Sequence, residues 1–209
     1  MLPLLVVKVI GGIVASVHST ALPLILTSQK MKFDPSQLGI SMSTSMFSVA
    51  AFGAFAMAPL TKQLGAPGMT KMGLIMRALM GPVIAVIVAA SNGNDRVVVA
   101  QIALASVFHA LAAHSLATGL TTQTTGAVKK DEQGALLGLE HSLFSLARIV
   151  GPAMGTRLLA QSSSGEFWYV AGVCALVDIA LVSFLLATTP GGGSEREEKH
   201  DDDVSSKEE

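Results

Sequence analysis

The sequence predicts an all-α integral membrane fold of six transmembrane helices. Three observations lead there: half of its 209 residues are hydrophobic, only 14% are charged, and long apolar runs alternate with short polar connectors. In ordinary soluble domains about a quarter of the residues carry charge. Much of the charge present lies near the end, where Glu195 to Glu209 holds eight acids and three bases. Residues 1–193 therefore carry seven acids and eleven bases, a sparse and mildly basic body with a formal charge of +4.

A spanning helix needs about 20 largely apolar residues, because a rise of about 1.5 Å per residue must cover roughly 30 Å of hydrocarbon. The runs expected to do so extend from Leu2 to Thr27, Leu38 to Leu60, Met72 to Ala90, Val97 to Thr118, Gly134 to Leu159 and Phe167 to Ala187. The first has no basic segment ahead of it and contains Lys8. It is too long for the apolar stretch of a secretory signal. A start inside a helix is what a piece of a longer chain would show. The second span follows Asp34-Pro35-Ser36, a turn and cap signal, and the fourth follows Asn92-Gly93-Asn94-Asp95. The polar run Thr121-Thr122-Gln123-Thr124-Thr125 can extend the fourth helix if it faces a wet cavity. The sixth opens with Trp168 and Tyr169, which suit the membrane interface, and holds the lone Cys174. Gly191-Gly192-Gly193 then leads into an acidic tail. The expected division is a transmembrane domain over 1–190 and a disordered tail over 191–209.

A soluble bundle would show a polar stripe on each helix at a period of 3.6 residues. Met46 to Leu60 contains no charged residue, and a chain this short cannot surround six such helices with its own atoms. With the first span starting in the cytoplasm, Lys62, Lys71, Lys129 and Lys130 lie in cytoplasmic loops, against Lys30, Lys32 and Arg96 opposite. That small excess places the tail in the cytoplasm.

An ionisable residue in hydrocarbon costs about 2.5 to 3.5 kcal/mol on insertion scales and is a functional candidate by default. Those singled out are His18, His109, His114, Glu140, His141, Arg148 and Asp178. Glu140 and His141 supply a carboxylate and an imidazole, the groups a proton-coupled carrier needs. Consecutive residues point about 100° apart, so at most one lines a pathway, and the plain reading of Glu140 is a hydrated group at headgroup depth. Arg148 is too far along the helix from Glu140 to pair with it, so Asp178 is its expected structural partner. His18, among Ser16, Ser19 and Thr20, is a candidate for solute or proton contact, although hydroxyls also bind helices together. His109 and His114 are five residues apart, a poor spacing for one metal. Gly134, Gly138, Gly151, Pro152 and Gly155 read as packing and kink positions, as do Gly11-Gly12 with Ala15, and Pro23 and Pro82 lie within spans. No zinc-protease motif, phosphate-binding loop or cysteine pair is present, so neither an enzyme nor a metal or other cofactor is expected, and no nucleic-acid partner.

The stretch GALLGLEHSLFSLARIVGPAMGTRLL, from Gly134 to Leu159, resembles the eleventh helix of drug-transporter-like members of the major facilitator superfamily. The opening LPLLVVKVIGG is similar to the seventh helix of the organic cation transporter-like branch, relatives of the tetracycline-resistance exporters. The resemblance covers roughly residues 2–188. It implies the second half of a secondary transporter: six helices in two inverted three-helix repeats, with solute held near the midplane against another half. In the loop after the second span, Ala58 to Gly65 keeps only the last glycine of the family's charged signature, and Lys62 stands in place of its aspartate. The resemblance thus implies movement of a small organic solute, with protons as the candidate coupling ion. The partners it implies are the lipid bilayer, the solute, and a missing N-terminal half or a homodimeric copy. The alternative is a truncated or regulatory membrane protein that pairs with other spans and transports nothing.

Overall fold

The computed structural model describes residues 2–91, 93–161 and 167–188, and these form six α-helices. They are α1 (Leu2–Leu26), α2 (Pro35–Phe55), α3 (Met57–Ala90), α4 (Arg96–Gly126), α5 (Gln133–Gln161) and α6 (Phe167–Thr188). The acidic tail and its glycine hinge lie outside the described residues. Five helices are long and apolar enough to cross a membrane, and α5 is the one that is not. Its length suffices at 29 residues, but Glu140, His141, Arg148 and Arg157 dilute its apolar character.

The start of α2 shows how the cap signal works. Asp34 accepts a hydrogen bond from the Gln37 N–H at 2.8 Å, while the Gln37 side chain accepts from the Asp34 N–H at 3.1 Å, closing a capping box with Pro35 in the first turn. These bonds satisfy donors that a helix start would otherwise leave open, so α2 begins three residues before the apolar run. Asp34→Ala is expected to lower thermal stability in detergent by about 1 kcal/mol. An unchanged melting curve would show that the cap is dispensable.

The connector expected from Thr61 to Lys71 is instead mostly helical and breaks at one residue. Gly65 has φ 66° and ψ 168°, a left-handed conformation that only glycine adopts without strain. Thr61 Oγ1 lies 3.0 Å from Met69 Sδ, although eight residues of straight helix would separate them by about 12 Å. The chain therefore reverses at Gly65, the glycine retained from the family's loop signature. The fourth helix continues through its threonine run to Gly126.

α3 packs along α4 and α6, α1 along α5 and α6, and α2 along α4. Exchanging α1 with α4, α2 with α5 and α3 with α6 turns the α1–α5 seam into α4–α2 and the α3–α4 seam into α6–α1. The contact pattern maps onto itself, as two three-helix repeats require. Small residues set the closest crossings. A Cβ on Gly73 would lie 2.7 Å from the Ala112 carbonyl, and one on Gly119 would lie 2.6 Å from Thr70 Oγ1, so α3 and α4 touch backbone to backbone. Gly151 and Gly155 meet Ser16 and Val17 in the same way where α5 crosses α1. Gly134 and Gly138 do not pack as expected, since a Cβ at either position meets nothing within 4 Å.

The main apolar core gathers Val17, Ala21, Ile84, Ile102, Phe167 and Val170 from α1, α3, α4 and α6. A smaller cluster joins Val7, Leu74, Leu116, Leu120, Leu181 and Leu185. Large side chains elsewhere face outward, among them Phe47, Phe55, Ile149 and Leu176. In water such a surface would aggregate; in lipid it is the solvated face.

Candidate functional site

Two ion pairs, one buried and one partly buried, tie the helices together, and neither is a pairing the sequence suggested. Arg77 on α3 donates from Nε to Asp178 Oδ2 at 2.8 Å and from Nη2 to Asp178 Oδ1, while its Nη1 donates to the Gly11 carbonyl at 2.9 Å. Both side chains are almost fully buried. One guanidinium thus binds α3, α6 and α1, and the fork of N–H groups matches the carboxylate two for two. A Cβ added at Gly11 would sit in ordinary contact with Arg77 Nη2 at 3.5 Å.

The expected Arg148–Asp178 pair is therefore corrected. α6 packs against α3 far more extensively than against α5, so an arginine on α3 reaches Asp178 first. Arg148 is exposed and lies over the Phe144 ring at 5.4 Å from its centroid. Arg77 escaped the sequence candidates, although a single arginine inside an apolar run carried the same signal as those chosen.

The second pair corrects the plain reading of Glu140 as a hydrated headgroup residue. Glu140 is 5% exposed, accepts an ion-pair hydrogen bond from Lys8 Nζ through Oε2, and accepts one from Thr124 Oγ1 through Oε1 at 2.5 Å. Lys8 also donates to Thr121 Oγ1 at 2.8 Å. The threonine run of α4 thus faces a carboxylate and a lysine rather than an open wet space. Gln123 in the same run donates to Thr70 Oγ1 at 2.7 Å, binding α4 to α3. His141 points outward, in keeping with the 100° between neighbours on a helix. On α5, His141, Ser145, Arg148 and Thr156 are all exposed and, spaced by four, three and eight residues, fall on one face as a polar stripe.

Two cavities open between the helices. The first, about 120 Å³, is lined by residues including Lys8, Gly11, Gly12, Arg77, Leu116 and Phe144, and so lies between the two ion pairs. The second, about 120 Å³, lies between α1, α2 and α4. His18, Ser19, Ser41, Ser45, Ser106 and His109 give it polar groups; Leu22, Leu26, Leu38, Met42 and Met46 supply much of its apolar lining. The rings of His18 and His109 stack with centroids 3.8 Å apart and planes 17° from parallel, and Phe167 meets His18 edge-on at 5.3 Å. Sequence spacing compared His109 with His114, but helix packing brings His109 to His18 instead. His114 Nε2 lies 3.4 Å from where a Cβ on Gly53 would stand, on the side of α2.

On the other rim, the connectors α1–α2 and α3–α4 are joined. The Asn94 amide donates to the Lys32 carbonyl at 2.9 Å and to Gln37 Oε1 at 2.9 Å, and Gln37 Nε2 donates to the Asn94 carbonyl at 3.2 Å. Lys32 takes a positive φ of 52° here.

The geometry is that of a membrane helix bundle with internal cavities, ion pairs at depth and an outward polar stripe. Comparison with curated proteins and with solved structures returns no match. The profile of the Major Facilitator Superfamily matches residues 4–208, nearly the whole chain. A multi-pass helical membrane chain with this contact pattern and this match belongs to the Major Facilitator Superfamily.

Proposed function

We propose that the chain carries a small organic solute across a membrane as one six-helix half of a secondary transporter, working against a second six-helix unit. The observation that carries this reading is the polar stripe of α5. Arg148, His141, Ser145 and Thr156 are exposed on one face of a helix in a membrane bundle, and a charge facing hydrocarbon is costly. A water-filled path closed by another half, either an N-terminal partner or a second copy, gives that stripe a solvent. Arg148 and His141 then form part of the path wall, and His18 lines the solute cavity.

Glu140 is the proposed proton carrier. Protonating it removes the charge that holds Lys8, so α1 loosens from α5 as the proton is taken up. Asp178, held by Arg77, anchors the helices. The small excess of loop lysines on one side supports a cytoplasmic tail.

The test is flux into vesicles. Reconstituted with an organic solute inside and a pH gradient across the bilayer, the protein is expected to give saturable movement. Glu140→Gln is expected to reduce gradient-driven movement at least tenfold while leaving exchange at equal pH within twofold. Gradient-driven flux that survives the substitution removes Glu140 from proton coupling. If the chain shows no saturable flux either alone or with a supplied six-helix partner, it is the non-transporting, regulatory alternative.

A further inference from the structure

The cavity between α1, α2 and α4 contains polar atoms that the protein itself does not satisfy. Both ring nitrogens of His18, Nδ1 of His109 and the Ser106 hydroxyl are buried and have no hydrogen-bond partner. His18 is only 4% exposed. Buried polar groups in folded proteins nearly always find partners, and an orphaned group calls for a missing ligand or water. The four atoms belong to three residues, His18, His109 and Ser106, that all line the same cavity, with the atoms themselves set back in its wall.

The cavity's other property is the absence of charge. None of its twelve lining residues is Asp, Glu, Lys or Arg. Arg77 is not among the lining residues and is held by Asp178 and the Gly11 carbonyl. An organic cation would find no carboxylate here and an organic anion no fixed cation. The stacked imidazoles cannot both ionise at 3.8 Å without repelling each other. Their in-plane lone pairs also lie side by side in the stack rather than converging, which disfavours a shared metal. A neutral imidazole offers one N–H donor and one acceptor nitrogen, so His18 can give one hydrogen bond and take one. A hydroxyl group does the same in reverse. The remaining walls, built from leucines, methionines and a proline, suit an apolar body.

We infer that the His18–His109 cavity binds an uncharged organic solute with an apolar body and a hydroxyl-type polar end, and that it discriminates against organic cations and anions of the same size. The inference rests on the transport reading and narrows its substrate class. The imidazole pair reads the polar end, Ser106 supplies a further hydrogen bond, and the apolar wall from α2 holds the body.

The probes are phenol, benzoate and phenyltrimethylammonium, which share one ring and differ in charge. Binding is read at equilibrium on the full chain in nanodiscs, from the ring signals of isotope-labelled histidine. The sequence has five histidines, so His114, His141 and His200 serve as internal controls. Phenol is expected to shift the His18 and His109 signals saturably and to leave the controls in place. Benzoate and phenyltrimethylammonium are expected to bind at least tenfold more weakly. His18→Phe, which keeps a ring in the stack, is expected to weaken phenol binding at least tenfold as read at His109, and Ser106→Ala about threefold. Equal or tighter binding of the cation, or a phenol response that rises linearly and moves all five histidines alike, overturns the assignment. Because binding is measured without flux, the two readings fail separately. Saturable vesicle flux with silent His18 and His109 signals sinks the solute class alone, and specific phenol binding without any flux sinks the transport reading alone.

Discussion

Replacing Asp178 by alanine is expected to cost about 3–5 kcal/mol, the usual cost of stranding one member of a buried ion pair. The remaining Arg77 would keep its charge in a nearly dry site, with only the Gly11 carbonyl as partner. Loss of a single monodisperse peak in detergent chromatography would be the readout. The double exchange Arg77→Asp with Asp178→Arg is expected to recover part of the loss, because the charges would face each other again, although the longer side chain would now start from α6. Arg148→Ala is the control. Its guanidinium is exposed and touches only Phe144 among the contacts that bear on it, so folding should hardly change. A variant at 148 as damaging as one at 178 would refute the assignment of Arg77 as the partner.

The second large effect lies at the α3–α4 seam. Gly73→Ala puts a methyl group 2.7 Å from a carbonyl oxygen and 2.7 Å from an amide nitrogen of α4. Backbone atoms cannot rotate away as a side chain can, so the helices must separate, at a cost of about 1–3 kcal/mol. Gly73→Leu should disrupt the seam altogether. Gly138→Ala gives the opposite sign: the position is open, and a helix interior gains up to about 1 kcal/mol when glycine becomes alanine. Measured side by side in one detergent, Gly73→Ala should melt below the parent and Gly138→Ala at or above it. Equal melting of all three proteins would mean that the crossing is not tight.

The fold was legible because hydrocarbon imposes a simple rule on sequence. Runs of about twenty apolar residues, cut by Asp34-Pro35 and by Asn94-Asp95, located all six helices. The reversal between the second and third spans was placed correctly, since Gly65 lies within Thr61 to Lys71, but that stretch is polar enough to read as a loop, whereas its backbone stays helical except where Gly65 takes a positive φ. The site was less legible, for a different reason. Asp178 and Glu140 stood out as charges in oil, but their partners depend on which helices adjoin, and that information is not local. Arg148 looked available to Asp178 because α5 and α6 are consecutive, yet these two helices hardly touch. His18 and His109 are 91 residues apart and meet through packing alone. Gly134 and Gly138 had the spacing of a packing motif without a helix opposite them. Spacing reports which residues share a face, not what that face meets.

The self-mapping pattern of helix contacts places the two ends of the bundle beside each other. Under the exchange of repeats, the junction from α3 to α4 corresponds to the gap between α6 and α1. Leu4 and Val7 near the start of α1 share a cluster with Leu181 and Leu185 near the end of α6. A covalent bridge from 188 to 2, with a new opening in the link after Ser91, would therefore reorder the chain as α4, α5, α6, α1, α2, α3 while preserving every interhelical seam. In this architecture the nearness of the two ends leaves the triplets able to be joined in either linear order.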